Sequence, residues 1–197
     1  MNTTIASQKK RIRENLRCQR RALSSNQQER HALACCNYAQ PLLKQTHARH
    51  VALYIANDGE LDPGKLIKSC WDDGYRVYLP LIDQNQPRQL LFARYLPEAR
   101  LKPNQFGIPE PDPETTTIVT VNELDVIFMP LVAYTEAGER LGMGGGYYDN
   151  TLRQQNNHRA ELIGLAHSIQ KQPTLPVEPW DIRLDGIVTE KGFNRCK

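Results

Sequence analysis

From Arg140 to Asp149 the chain reads Arg-Leu-Gly-Met-Gly-Gly-Gly-Tyr-Tyr-Asp, with four glycines in five consecutive positions. Glycine reaches positive φ and carries no Cβ, so Gly142, Gly144, Gly145 and Gly146 allow successive backbone N–H groups to converge on phosphate oxygens. The chemistry expected is recognition of a phosphorylated ligand. Two common phosphate loops are excluded by the spacing. A Walker loop needs Lys-Ser/Thr after its last glycine, where Tyr147-Tyr148 stands instead, and the sixth place of a dinucleotide fingerprint starting at Gly142 is Tyr147. Tyr147 to Gln154 reads as the first turns of a helix, whose N-terminal end favours an anion. Asp149, near its start, is open to two readings: a ligand to the metal ion that accompanies a nucleotide, or an ordinary N-terminal cap.

A second source of charge is the segment from about Ser7 to Leu23, rich in Lys, Arg, Gln and Leu without Pro or Gly, which reads as a basic helix. Ile5, Ile12, Leu16 and Leu23 share one narrow face at 100° per residue and form the docking stripe. Lys9, Arg13 and Arg20 border that stripe, whereas Lys10, Arg17 and Arg21 point further toward solvent. Lys9 and Arg13, four residues apart, could both reach a triphosphate at the glycine loop. The competing reading is a solvated basic helix.

The elements that must position these residues alternate between helix and strand. Ser24-Ser25-Asn26 starts a second helix, with Ser25 and Gln28 resembling a capping box, and it runs to about Gln45 with Pro41 expected to kink or split it. A buried strand is expected over 50–56, ending in Asn57-Asp58-Gly59. Asp62-Pro63 opens a helix to about Asp73 that returns the chain to a strand over 75–80, a βαβ unit that places Glu60 on the rim of strand ends. Residues 89–95 form a further strand, and the proline-rich 97–120 segment a long loop that could act as a lid through Phe106 and Ile108. Strands at 124–132, 162–165 and 186–188 complete a three-layer α/β/α architecture with a mostly parallel sheet.

Length and composition bound these readings. The chain has 197 residues, 40% hydrophobic and 24% charged, which suits one domain spanning 1–197, and its net charge of +3 is too mild to imply a nucleic-acid or membrane partner. An RNA-binding role for the basic helix, with Tyr147 and Tyr148 stacking on bases, finds no recognition signature to support it. Nothing approaches a spanning helix, and Met1-Asn2-Thr3-Thr4 leads into charged residues rather than a signal peptide, so a soluble, cytoplasmic protein is expected. The five cysteines (Cys18, Cys35, Cys36, Cys70, Cys196) lack Cys-x-x-Cys spacing and read as free thiols. The five histidines are scattered; His47 and His50 lie three apart without an acidic partner at ligand spacing.

Taken in order, Lys9…Arg13, Gly59-Glu60-Leu61-Asp62, Phe106-Gly107-Ile108-Pro109-Glu110-Pro111, the Arg140 to Asp149 block and Pro176-Val177-Glu178-x-Trp180-Asp181 resemble the 5-formyltetrahydrofolate cyclo-ligase family, also called 5,10-methenyltetrahydrofolate synthetases. The resemblance spans nearly the whole chain. It implies a fold related to sugar-phosphate isomerases and coenzyme A transferases, ATP as co-substrate with Mg²⁺ as cofactor, reduced folate as substrate, and a monomer, with a weak dimer as the alternative. It further implies that Lys9, Arg13 and the run Arg140, Leu141, Gly142, Met143, Gly144, Gly145, Gly146, Tyr147 and Tyr148 bind ATP, and that Asp149 and Asp181 hold the metal. Ile55, Glu60, Phe106 and the loop from Met143 to Tyr147 would contact the folate, with Glu60, Arg140 and Tyr147 nearest the chemistry. Two departures stand out: Tyr134-Thr135 replaces a Phe-Asp pair common in the family, and Met143 and Gly145 stand where some members have basic residues. An isomerase or coenzyme A transferase activity on the same fold is the alternative reading.

Overall fold

The computed structural model describes residues 4–155 and 159–196; the first three residues, read above for a leader, lie outside them. Helix α1 (Ile5–Arg21) and helix α2 (Ser25–Gln45) precede strand β1 (His50–Ala52). Helix α3 (Gly64–Asp72) leads into β2 (Arg76–Ile82), β3 (Leu90–Arg94), β4 (Leu101–Pro103), β5 (Pro109–Pro111), β6 (Ile118–Val119), β7 (Val126–Pro130), β8 (Ala133–Tyr134) and β9 (Arg140–Leu141). Helix α4 (Tyr147–Gln154), β10 (Glu161–Leu165), β11 (Gly186–Thr189) and β12 (Gly192–Arg195) complete the order.

Eight strands form one sheet in the order β12-β11-β10-β7-β1-β2-β3-β6. The five strands from β11 to β2 are parallel, and β12, β3 and β6 add antiparallel edges. Alternation along the central strands sorts the core into two faces. Val51, Phe128, Ile163 and Val188 pack with Leu42, Leu43, Leu66 and Ile67 of α2 and α3, while Ala52, Ile127, Met129 and Ile187 pack with Leu152 of α4 on the other face. Helices therefore cover both faces, as expected. β1 continues through α3 to β2 on one side, whereas β7, β10 and β11 build outward on the other, so the order reverses between β1 and β7. In open α/β sheets a crevice forms outside the strand carboxyl ends at such a point.

Several expectations are corrected. The capping box uses Ser24 and Gln27, one residue earlier than read from Ser25 and Gln28. Helix α2 runs unbroken through Pro41, which lies on its exposed side, where water can satisfy the carbonyl deprived of its partner. Only three residues of the 50–56 run join the sheet ladder, although the Leu53 N–H still donates to the Tyr78 carbonyl (2.9 Å). The 97–120 segment is not one irregular loop: β4 and β5 form a hairpin and β6 joins the main sheet. Prolines at 103, 109 and 111 are tolerated because a two-stranded hairpin consists of edges. β12 was not anticipated, and the cap of α3 is Pro63 rather than Asp62, which stands one place earlier and accepts the Gly64 N–H (2.9 Å).

The buried face of α1 differs most from its reading. Ile5 is 44% exposed and Leu23 lies past the helix end, whereas Lys9 and Arg20 are buried beside Leu16. Arg17 also turns inward, its Nε donating to Asp58 (2.7 Å). The helix docks through cations as much as through its apolar stripe.

Candidate active site

A cleft of about 800 Å³ opens at the reversal between β1 and β7. Its walls include all the residues singled out from sequence: Lys9, Arg13, Ile55, Glu60, Phe106, Asp149, Asp181 and the whole run from Arg140 to Tyr148. The glycine loop connects β9 to α4, and Gly146 forms the helix N-cap with φ 70°. Gly144 sits at φ 105°, a backbone conformation that side-chain-bearing residues rarely adopt, and a Cβ there would stand 3.5 Å from the Arg13 guanidinium carbon. Arg13 reaches across from α1, and its Nε donates to the Gly142 carbonyl at 2.8 Å. That bond ties the basic helix to the loop.

The Lys9 ammonium donates to Glu178 Oε2 and Asp181 Oδ2, both at 2.7 Å. Burial, the largest single influence, works against its charge, but the two carboxylates together outweigh it and raise its pKa. Arg140, almost fully buried, donates to Asp149 Oδ1 (2.8 Å) and to the Ile182 carbonyl. The Ile182 N–H donates to the same Asp149 oxygen (3.0 Å), so Asp149 is a bracing residue at the helix start rather than its cap. Arg140 thus stands beneath the loop. Its pKa is lowered, chiefly by burial and against the pull of Asp149.

Sequence reasoning left Arg20 without a role, yet it organises the adjacent wall. Its guanidinium is fully buried; Nε donates to the Asp58 carbonyl (2.8 Å), Nη1 to the Leu131 carbonyl (3.1 Å) and Nη2 to Asp58 Oδ2 (3.0 Å). Nη2 also lies 3.5 Å from Met143 Sδ and 3.8 Å from Glu60 Oε1, so the glycine loop and Glu60 share one buried cation. The Glu60 side chain is only 10% exposed, with Oε2 accepting the Asn57 N–H (3.1 Å). Burial raises its pKa to about 7, with Arg20 opposing. The signal for Arg20 was its position on the helix wheel, but a wheel cannot show which cation meets a carboxylate 38 residues away.

The β4–β5 hairpin forms the outer wall. Its turn is built by Asn104, whose Oδ1 accepts the N–H groups of Phe106 (2.8 Å) and Ile108 (3.1 Å) and whose Nδ2 donates to Glu110 (2.7 Å). Phe106 is 57% exposed and packs edge-on against Tyr147 (centroids 5.9 Å apart), while Gln105 Nε2 donates to the Tyr147 hydroxyl (3.2 Å). The Tyr148 hydroxyl is buried in the cleft wall with no hydrogen-bond partner among the described residues. Thr135 stays out of the cleft; its hydroxyl donates to Glu139 Oε2 (3.1 Å) and accepts the Glu139 N–H (3.3 Å), closing the β8–β9 turn.

Comparison with known proteins gives the family of the chain. The sequence model of the 5-formyltetrahydrofolate cyclo-ligase family matches residues 5–190. The chain belongs to this family. A 5-formyltetrahydrofolate cyclo-ligase from Haemophilus influenzae is 40% identical over 188 residues, covering 95% of this chain and 99% of that protein. One from Escherichia coli K12 is 39% identical over 174 residues, covering 88% and 96%. The solved structure of Aquifex aeolicus 5,10-methenyltetrahydrofolate synthetase superposes with a TM-score of 0.83 at 30% identity, covering 96% of this chain and 93% of that one. The mixed α/β fold with its mostly parallel sheet is thus a family property. Among the described residues, no helix is long and apolar enough to cross a membrane.

Proposed function

We propose that the chain converts 5-formyltetrahydrofolate to 5,10-methenyltetrahydrofolate with ATP, releasing ADP and phosphate. The observation that carries this reading is the cleft itself: glycine amides with Lys9 and Arg13 adjoin a wall of Ile55, Glu60, Phe106 and Tyr147 in one continuous space. Its volume lies toward the upper end of the roughly 300–1,000 Å³ typical of small-molecule sites, which suits two substrates held side by side.

The reaction faces a plain obstacle, because a formamide oxygen is a poor leaving group. If that oxygen attacks the γ-phosphorus of ATP, ADP departs and the formyl carbon becomes electrophilic. N10 then attacks that carbon, loses its proton, and phosphate leaves carrying the former formyl oxygen. Phosphoryl transfer asks mainly for positioning and neutralisation of charge. Lys9 and Arg13 supply cations at the loop, Arg140 holds the loop from beneath, and Gly142 to Gly146 supply amides. Glu60, held near neutrality by burial, can orient a folate nitrogen, while Phe106, Tyr147 and Ile55 flank the ring system.

The carboxylates also fit a magnesium ion. Asp149 and Asp181 are hard oxygen donors, and each places its protein contacts on a single oxygen, Oδ1 and Oδ2 respectively. Held there, the ion would neutralise phosphate charge. Residues of this kind suit a metal-bound nucleotide better than a free one, since Glu178, Asp181 and Asp149 would repel an unaccompanied polyanion.

The test mixes purified protein with 5-formyltetrahydrofolate and MgATP, follows methenyl-folate absorbance and counts ADP released. One ADP per methenyl product is expected. Turnover without ATP, or a stoichiometry far from one, would overturn the phosphorylated intermediate.

A further inference from the structure

Outside the lining of the cleft, three ligand-type side chains from distant parts of the chain converge. His31 comes from the second turn of α2, His167 follows β10, and Glu190 sits at the turn between β11 and β12. His31 Nδ1 lies 2.9 Å from His167 Nδ1 and 3.9 Å from Glu190 Oε2, and the three ligand atoms all fall within 4.8 Å of one another. We propose that His31, His167 and Glu190 form a binding site for one divalent transition-metal ion of the zinc class.

The distances suit that class. Zinc bonds nitrogen and carboxylate oxygen at about 2.0–2.1 Å, and tetrahedral placement then sets neighbouring ligand atoms about 3.3 Å apart. Two of the three edges, 2.9 and 3.9 Å, bracket that length and the third lies within 4.8 Å, so side-chain rotation can close the set around an ion. Two imidazoles with one carboxylate are a borderline donor set, which selects zinc and its neighbours over magnesium or calcium.

The surroundings already resemble the support that metal ligands need. The Glu190 carboxylate is fixed by the Ser168 N–H, which donates to Oε2 at 2.9 Å, and by the Ser168 hydroxyl, which donates to Oε1. His167 is fully buried, and its Nε2 has no hydrogen-bond partner among the described residues. Its Nδ1 is turned toward His31, so an ion between the rings would replace the hydrogen bond that the two Nδ1 atoms share. The His31 and Glu190 side chains are 16% and 14% exposed, which provides an entry path and room for a water in a fourth position.

Such an ion would be structural. It would pin α2, the segment after β10 and the β11–β12 turn to one another, next to the Gly59 backbone that leads into Glu60. Nothing in the proposed ligation chemistry draws on this site.

The test uses the full-length protein stripped with chelator and kept free of magnesium and nucleotide. Calorimetric titration with zinc chloride is expected to give one ion per chain, and saturation to raise the melting temperature by about 5 °C or more. His31→Asn and Glu190→Gln should each weaken binding by about 10²-fold while leaving the melting temperature of the stripped protein within a few degrees of wild type. Zinc binding unchanged in both variants would place the ion elsewhere, for instance on the exposed thiol of Cys18, and would overturn the proposal. So would the absence of binding. Should either variant fail to fold, nitrogen chemical shifts of the wild-type imidazoles decide: Nδ1 of both His31 and His167 should move on zinc addition, and unmoved resonances refute the site.

Discussion

Replacing Glu60 by Gln should stabilise this protein at alkaline pH while impairing its activity. The carboxyl is buried and its pKa is lifted from 4.5 to about 7, chiefly by desolvation. Between those values the unfolded chain has released a proton that the folded chain keeps, so stability falls as pH rises from 4.5 to 7 and levels off above. At about 1.4 kcal/mol per pH unit, the charged side chain costs the native state roughly 3 kcal/mol at pH 8. Glutamine removes that charge but keeps an oxygen for the Asn57 N–H, and Arg20 keeps Asp58 as its partner, so no buried cation is stranded. For a chain of this size the gain corresponds to a melting temperature roughly 6–12 °C higher at pH 8. At pH 4.5 the variant and wild type should melt together. Thermal unfolding at both pH values, beside the methenyl-folate assay, checks the reasoning. A variant no more stable at pH 8, or equally shifted at both pH values, would show that burial does not govern this carboxyl.

Four other outcomes follow from the same geometry. Lys9→Ala should raise the KM for ATP with a smaller effect on kcat, because it removes the cation proposed to meet the phosphates and deprives Glu178 and Asp181 of their lysine; an unchanged KM in steady-state kinetics would remove Lys9 from the site. Asp149→Asn should lower kcat by about 10²-fold, the loss typical of one charge-stabilising group, and wild-type turnover would count against its role. Gly144→Ala forces a Cβ into the φ 105° conformation, so the loop should shift from Arg13 at a cost of about 1–3 kcal/mol, seen as weaker ATP binding in titration and a lowered melting temperature. Phe106→Ala, at a 57% exposed position, should leave stability within about 0.5 kcal/mol yet raise the KM for folate and not for ATP, a split that kinetics on each substrate would reveal.

What could be read from the sequence follows the range of the interactions. The glycine loop, its helix and the βαβ unit were legible because each is specified by residues within a few positions of one another, and the strand order then gathers them at one crevice. The β4–β5 hairpin was missed because its prolines disfavour strands in general, whereas Asn104 fixes this turn through contacts that no periodicity displays. Arg20 and Asp58 escaped for a different reason: a buried ion pair looks like surface charge until the fold places both ends. His31 and His167 are 136 residues apart and share no spacing signal, so scattered histidines became a cluster only through the sheet order.

The charges around the loop also explain why Lys9 and Arg13 sit on a helix outside the sheet. Lys9, Arg13 and Arg140 stand among Asp149, Glu178 and Asp181, three cations with three carboxylates, so this part of the cleft is close to electrically balanced and its buried lysine stays charged. An unbalanced cluster of cations at this depth would be costly to fold, since desolvation is already the largest influence on both Lys9 and Arg140. The carboxylates therefore do two jobs in the proposed reaction: they make the cations tolerable before substrate arrives, and they offer oxygen donors when a nucleotide comes with its metal. In the proposed reaction Lys9 would exchange carboxylate partners for phosphate oxygens without moving into a less polar environment. Because α1 is held to the body by Arg13 on Gly142 and Arg20 on Leu131 and Asp58, that exchange needs only side-chain rotation, and the loop can be organised for a polyanion without a standing excess of positive charge.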